Sequence, residues 1–277
     1  IYRRKMNPLN NFPDFSGLAC INVELTSRCN KKCWICGRRK VDKDYPELAL
    51  SYGDMDFDLV REIAKQLPPN IVAQFHKDGE ALLYPRFGEA VRLFKEQIKN
   101  IVTNGKLIIE KADEIIDNLD TISVSIFEND DEAGEQYDLI KRFLDIKGDR
   151  KPFMSLRLIG DVAQERYEKL NCLIIKRVVH AKMGSFNYQK KNPTIPEIGI
   201  CWDFLHHLCV SRQGDVSICV RFDPMKLGVI GNLNKQSLNE IWNCQKRMEW
   251  LEYHKNGKRE KIPLCSYCHY WGVPTSS

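Results

Sequence analysis

The sequence lacks the features that would place the chain in a membrane, on a secretory route or on nucleic acid. No apolar run approaches the roughly 20 residues of a membrane-spanning helix. The basic opening Ile1-Tyr2-Arg3-Arg4-Lys5 leads into polar residues and proline, without the apolar stretch of a signal peptide. An excess of one charge is also missing: 42 Lys and Arg stand against 37 Asp and Glu, a net +5. That is too mild to argue for nucleic acid without a concentrated basic patch. There is no internal repeat and no low-complexity tract. A cytoplasmic protein is expected, and an opening Ile in place of Met reads as a trimmed amino end. What is abundant is cysteine. Eleven is many for a cytosolic chain, and an odd, unevenly spaced set does not make a disulfide framework. Metal is the better explanation.

Short β-rich runs alternate with amphipathic helical stretches. Candidate strands are Cys20–Leu25, Ile71–Phe75, Ile98–Val102, Thr121–Ile126, Phe153–Ile159 and Cys172–Val179. Between them, Val60, Ile63, Ala64 and Leu67 fall at helical spacing behind Asp54 or Asp56 as N-cap. Similar patterns run through Phe87, Ala90, Val91 and Phe94, through Ile108, Ala112, Ile115, Ile116 and Leu119, and through Tyr137, Ile140 and Leu144. Strand–helix alternation implies a parallel sheet with right-handed crossovers, which rolls towards a barrel. Six units fall short of the eight that close a TIM barrel. The expected fold class is therefore α/β, a partial (β/α)6 TIM-like barrel. After His180 the pattern changes: Lys190-Lys191-Asn192-Pro193-Thr194-Ile195-Pro196 reads as a linker, followed by Cys-rich hairpins around Gln213-Gly214-Asp215 and one helix, about Leu238–Tyr253. The division expected is an amino-terminal extension (1–19), the barrel (20–189) and a small Cys-rich hairpin-plus-helix domain (190–277).

Cys29-Asn-Lys-Lys-Cys33-Trp-Ile-Cys36 follows the first strand directly. Three thiolates at this spacing can hold a cubane iron–sulfur cluster while leaving its fourth iron open, and an open iron at the carboxyl end of a barrel strand is a ligand site. The competing reading is a zinc knuckle with a distant fourth ligand. Structural zinc favours paired Cys halves and four closed ligands, and no local partner is evident. In this motif the chain resembles the radical S-adenosylmethionine (SAM) superfamily. The resemblance implies that a 4Fe–4S cluster on Cys29, Cys33 and Cys36 chelates SAM and cleaves it to a 5′-deoxyadenosyl radical. One departure is Ile35, where the family usually has an aromatic residue, with Trp34 one place earlier. His76-Lys77-Asp78-Gly79-Glu80 resembles the family's Gly-Gly-Glu motif, with Asp78 for the first Gly, which implies cofactor contacts from Asp78, Gly79 and Glu80. Thr103-Asn104-Gly105 closes the third strand as in relatives, though as a turn it needs no function. Ser123 and Ser125 share one strand face. The resemblance implies a SAM contact there, and it places Arg157 where relatives have a residue near the ribose or carboxylate.

Cys201, Gly214, Cys219, Cys265 and Cys268 resemble the SPASM/twitch extension of the same superfamily, with Gly214 at a hairpin turn needing positive φ. Leu238-Asn-Glu-Ile-Trp242-Asn matches the helix of that extension. No cysteine follows Cys268, so the shorter twitch form fits, with one auxiliary 4Fe–4S cluster on Cys201, Cys219, Cys265 and Cys268. Four thiolates also suit a structural zinc ribbon. Cys209 is a rival ligand; the distance from Cys201 to Gly214 favours Cys201. Cys20, Cys172 and Cys244 read as core packing.

A cluster with all four irons ligated is suited to passing electrons. The expected reaction is a two-electron oxidation of a sugar- or cyclitol-like alcohol, because the four-cysteine arrangement resembles that of an aminocyclitol-oxidising twitch dehydrogenase. The runner-up is peptide modification, although about twenty residues before the first strand are too few for a peptide-recognition domain. A third reading, from another class, is a zinc-stabilised RNA-binding module. Lys31, Lys32, Arg38, Arg39 and Lys40 crowd the first cysteine loop, as a solvated charge run or as a docking patch for an acidic flavodoxin or ferredoxin. His180, His206 and His207 are each capable of acting as a base, and none is assigned that role.

Overall fold

The computed structural model describes residues 15–177, 200–266 and 268. The linker at 190–196, His180 and the end of the sixth expected strand at 178–179 lie outside the described residues, as do residues 1–14 of the extension. Six strands form where the alternation predicts them: β1 Cys20–Val23, β2 Val72–Phe75, β3 Ile98–Thr103, β4 Thr121–Phe127, β5 Phe153–Ile159 and β6 Leu173–Arg177. Three more follow, β7 His207–Val210, β8 Asp215–Ser217 and β9 Val229–Asn232. All nine make one sheet in the order β6-β5-β4-β3-β2-β1-β7-β8-β9. From β6 to β7 every neighbouring pair is parallel, and β8 and β9 turn antiparallel. The architecture is a partial α/β barrel, and the Cys-rich hairpin prolongs its sheet through β7 on the free edge of β1.

The alternation along the strands divides the sheet into two surfaces. Ile21 and Val23, Ala73 and Phe75, Ile122, Val124 and Ile126, and Leu156 and Leu158 belong to the apolar core. Helix Phe57–Gln66 adds Val60 and Ile63 to it, behind the Asp56 carboxylate that caps its first N–H groups. Fully burying side chains of this kind contributes about 1.5–3 kcal/mol each. The opposite face of the strands carries Asn22, Gln74, Ser123, Ser125, Ser155, Arg157, His207 and Cys209, a polar lumen.

Two helical expectations need correction. The pattern from Ile108 to Leu119 yields α-helix only over Ala112–Ile115, because Ile116 turns extended and Asp117 takes positive φ. The helix expected over 238–253 is two helices, Leu238–Trp242 and Gln245–Lys255. Ser237 and Glu240 form a capping box at the first, while Cys244 adopts an extended backbone and its sulfur accepts the Arg247 N–H at 3.4 Å. The second N-cap breaks what the spacing alone presents as one run.

Candidate active site

The cysteine loop is clamped from two sides. Beneath it, the Glu80 N–H donates to the Arg28 carbonyl at 2.8 Å. A Cβ added to Gly79 would stand 2.1 Å from the Thr26 carbonyl oxygen, so only glycine lets residues 78–80 lie against the backbone leading into Cys29. The Glu80 carboxylate then accepts the Thr103 hydroxyl at 2.8 Å, the Asn104 N–H at 2.8 Å and the Leu82 N–H at 3.2 Å. Asn104 passes the restraint on: its Nδ2 donates to Asn30 Oδ1 at 2.8 Å and lies 3.9 Å from Cys29 Sγ. The turn Thr103–Gly105, expected to need no function, is therefore part of the mounting of the loop. Gly79→Ala should destabilise the fold by about 1–3 kcal/mol through backbone overpacking and weaken SAM binding, read by denaturant titration and equilibrium dialysis.

Cys29, Cys33 and Cys36 are half-buried, and none of the eleven cysteines is in a disulfide. Burial, then the neighbouring sulfurs of Cys36 and Cys29, pushes the Cys33 thiol up to about 12. Burial also raises Cys29 and Cys36, against N–H groups of Lys31 on the first and of Arg39 and Arg38 on the second. Three sulfurs that repel one another as anions and are met by backbone N–H donors suit a shared cationic iron centre. Among the described residues, no three His, Cys, Asp or Glu side chains converge closely enough for a single metal ion. The donor set fits a 4Fe–4S cluster with one iron left for a ligand.

The lumen behind this loop is charged and enclosed. Ser123 and Ser155 lie opposite one another with hydroxyls 2.8 Å apart, and Ser125 stands opposite Arg157. Burial, then Arg177, brings the Arg157 guanidinium down to about 10. His76 is held neutral, at about 3, by burial and then by Arg157 and Lys77. Asp78 is ion-paired with Lys77, and both line a cavity together with Glu24, Ser27, Cys219 and Arg221. Glu24 is the residue that the sequence reading missed. It is 4% exposed; its Oε2 accepts the Arg212 N–H at 2.9 Å, while Oε1 has no hydrogen-bond partner. Burial pushes its carboxyl above the usual range; Lys77 pulls it back, Asp78 pushes it further, and the Arg212 N–H and Arg38 draw it down. The available signal was a carboxylate between Val23 and Leu25, two residues after Asn22 and so in step with the polar face of the first strand.

The second set of cysteines is carried by the hairpin and the short helices on either side of it. Cys201 is the N-cap of helix Trp202–His206, Cys219 follows β8, and Cys265 lies in helix Pro263–Ser266. Arg259 Nη1 donates to the carbonyls of Cys265 and Cys268 at 3.2 and 3.1 Å, holding these two residues together. Gly214 turns the β7–β8 hairpin with φ +84°, as expected. Cys209 stands opposite Asn22 on the lumen face, where burial raises its thiol and Lys77 opposes that rise.

The cationic patch is smaller than its sequence suggests. Lys31 is 5% exposed and paired with Asp130 and Glu132. Arg38, 4% exposed, donates to the carbonyls of Leu50 and Ser51 at 2.7 and 3.1 Å and stacks on Tyr52. These two are internal braces and present no charge to a docking protein. Arg38→Ala should lower the unfolding free energy by about 2–3 kcal/mol through orphaned carbonyls and lost stacking. The salt dependence of cluster reduction should stay unchanged in stopped-flow measurements.

Comparison with known proteins agrees with this arrangement. The profile of the Radical SAM superfamily matches residues 23–169, and that of the SPASM iron–sulfur cluster-binding domain matches residues 201–269. The S-adenosyl-L-methionine-dependent 2-deoxy-scyllo-inosamine dehydrogenase of Niallia circulans is 24% identical over 263 residues, 92% of this chain and 94% of its own. A crystal structure of BtrN with AdoMet and 2-DOIA superposes with a TM-score of 0.59 at 20% identity, over 94% of this chain and 97% of that one. Streptococcus suis SuiB bound to S-adenosylmethionine superposes with a TM-score of 0.61 at 12% identity, over 92% of this chain and 73% of that one. Among the described residues no helix is long and apolar enough to cross a membrane. The zinc-stabilised RNA-binding reading is set aside: the chain belongs to the radical SAM superfamily, binding SAM and a 4Fe–4S cluster and carrying a SPASM-type auxiliary iron–sulfur region.

Proposed function

We propose that the protein is a dehydrogenase that oxidises a secondary alcohol on a sugar- or cyclitol-like substrate to a ketone. The observation that carries the reading is the shared cavity: Ser27 and Asp78, flanking the first cysteine loop and its clamp, and Cys219 of the auxiliary group line the same space as Glu24. Cys29, Cys33 and Cys36 would hold the open cluster, and Cys201, Cys219, Cys265 and Cys268 the closed one. When bound, the first with SAM supplies a hydrogen-abstracting radical, and the second an acceptor for one electron.

Converting CH–OH to C=O removes a hydrogen atom, a proton and an electron. Glu24 would take the proton: it lines the cavity, its buried Oε1 has no hydrogen-bond partner, and its carboxyl is held above the usual carboxylate range. Gly79 and Glu80 fix the loop on which SAM would rest. Asp78, Ser123, Ser125 and Arg157 would supply polar contacts from the lumen to SAM or substrate.

The test is anaerobic turnover of the reconstituted enzyme with candidate cyclitols and sugars. A product two hydrogens lighter than its substrate, formed one-for-one with 5′-deoxyadenosine, supports the reading. An isomer of unchanged mass, or activity only on a peptide, would sink it.

A further inference from the structure

The lumen holds a cation that nothing in the described residues neutralises. Arg157 is partly buried, its Nε is enclosed without a hydrogen-bond partner, and no described carboxylate stands within ion-pair distance of it. The charged group that acts on it most is another cation, Arg177. Register explains why. Arg157 pairs with Ile175 and Ile159 with Arg177, so the two arginines project from the same face of adjacent strands, one row apart. The series continues. Arg177 in turn feels Arg221, although Asp203 partly offsets the charge of Arg177. Arg221 lies two residues beyond Cys219 and lines the same cavity as Glu24.

Burying an uncompensated guanidinium costs several kcal/mol unless an anion arrives to balance it. The direction in which the arginines run identifies that anion. The row starts at Arg157, which acts on His76 in the β4–β5 lumen, and ends at Arg221, two residues beyond Cys219 of the auxiliary group. We propose that Arg157, Arg177 and Arg221 form a recognition site for an oxyanion on the substrate, a phosphate or carboxylate carried by the sugar or cyclitol. This rests on the alcohol-oxidation reading and narrows it. The Niallia circulans relative is named for an inosamine, whose amine is a cation near neutral pH, and a row of guanidiniums would repel such a group.

The test is calorimetric binding to the reconstituted, SAM-saturated holoenzyme with four probes: myo-inositol 1-phosphate, glucuronate, glucose and glucosamine. One or both anions should bind at least about tenfold more tightly than glucose, the effect of one charge-assisted contact, and glucosamine more weakly than glucose. Which anion binds better separates phosphate from carboxylate. R221Q should reduce the preference to within about threefold while SAM affinity and iron content hold, and R221K should retain it. Equal binding of charged and neutral probes, or no binding of either anion, overturns the proposal. So does a result in which R157Q and R221Q weaken SAM alone, since the arginines would then serve the SAM carboxylate. Anion preference without any oxidised product upholds the site and defeats the dehydrogenase reading instead.

Discussion

Replacing Cys29, Cys33 and Cys36 together by alanine should abolish 5′-deoxyadenosine formation, a loss of more than about a thousandfold, and halve the iron content from about eight to about four per chain. The auxiliary group should load as before. The two sets of sulfurs are mounted independently: Glu80, Asn104 and the N–H groups of Lys31, Arg38 and Arg39 hold the first, whereas the β7–β8 hairpin and Arg259 hold the second. Iron analysis with Mössbauer spectroscopy separates the outcomes. Persistent SAM cleavage in the triple variant would place the SAM site elsewhere. Loss of all iron would mean that the two regions load as one unit, against the separate restraints seen here. In the iron-free protein, stability should fall little or rise. The thiols are raised chiefly by burial, so their removal leaves no unpaired buried charge, and the Glu80 clamp does not depend on them.

Much of this was legible in the chain because it depends on local spacing. Six strands could be placed within two residues at each described end, since apolar–polar alternation and β-branched runs are properties of contiguous sequence. The cysteine loop, Gly79 and Gly214 were legible for the same reason: each is a short-range pattern with one geometric consequence. What was hidden depends on partners far apart in sequence. Glu24 and Arg212 are joined by a hydrogen bond, yet 188 residues separate them. The pairing of β1 with β7, which makes the Cys-rich hairpin part of the barrel sheet, has no local signature. Arg38 and Lys31 read as solvent charges because a run of cations normally is solvated. Their burial depends on the carbonyls of Leu50 and Ser51 and on the carboxylates of Asp130 and Glu132, which no local pattern identifies. The break at Cys244 illustrates the same limit at short range, where a sulfur acting as N-cap overrides continuous helical periodicity.

Glu24→Gln should reduce turnover by about a hundredfold to ten-thousandfold, the range for loss of a positioned proton acceptor, while leaving SAM binding and cluster loading intact. The substitution is nearly isosteric, and the amide oxygen can still accept the Arg212 N–H. Stability provides a built-in control. A carboxyl raised above its unfolded value favours folding only while protonated, below the unfolded pKa, and that contribution is lost as pH rises through the folded pKa. Above its folded pKa the ionised Glu24 is therefore a burden on the fold, and there the glutamine variant should unfold at the same or a higher denaturant concentration. The pH profile gives the second signature. The groups facing Glu24 are Lys77, Asp78, Arg38 and the Arg212 N–H, and burial outweighs their combined pull, so its carboxyl stays above the usual range. A base works only when deprotonated. The acid limb of kcat/KM should then lie above the ordinary glutamate value of about 4.3, with activity lost as pH falls through it, and that limb should vanish in the residual activity of the variant. A glutamine enzyme that keeps both full turnover and the acid limb would remove Glu24 from the chemistry and leave it as a lining residue of the cavity alone.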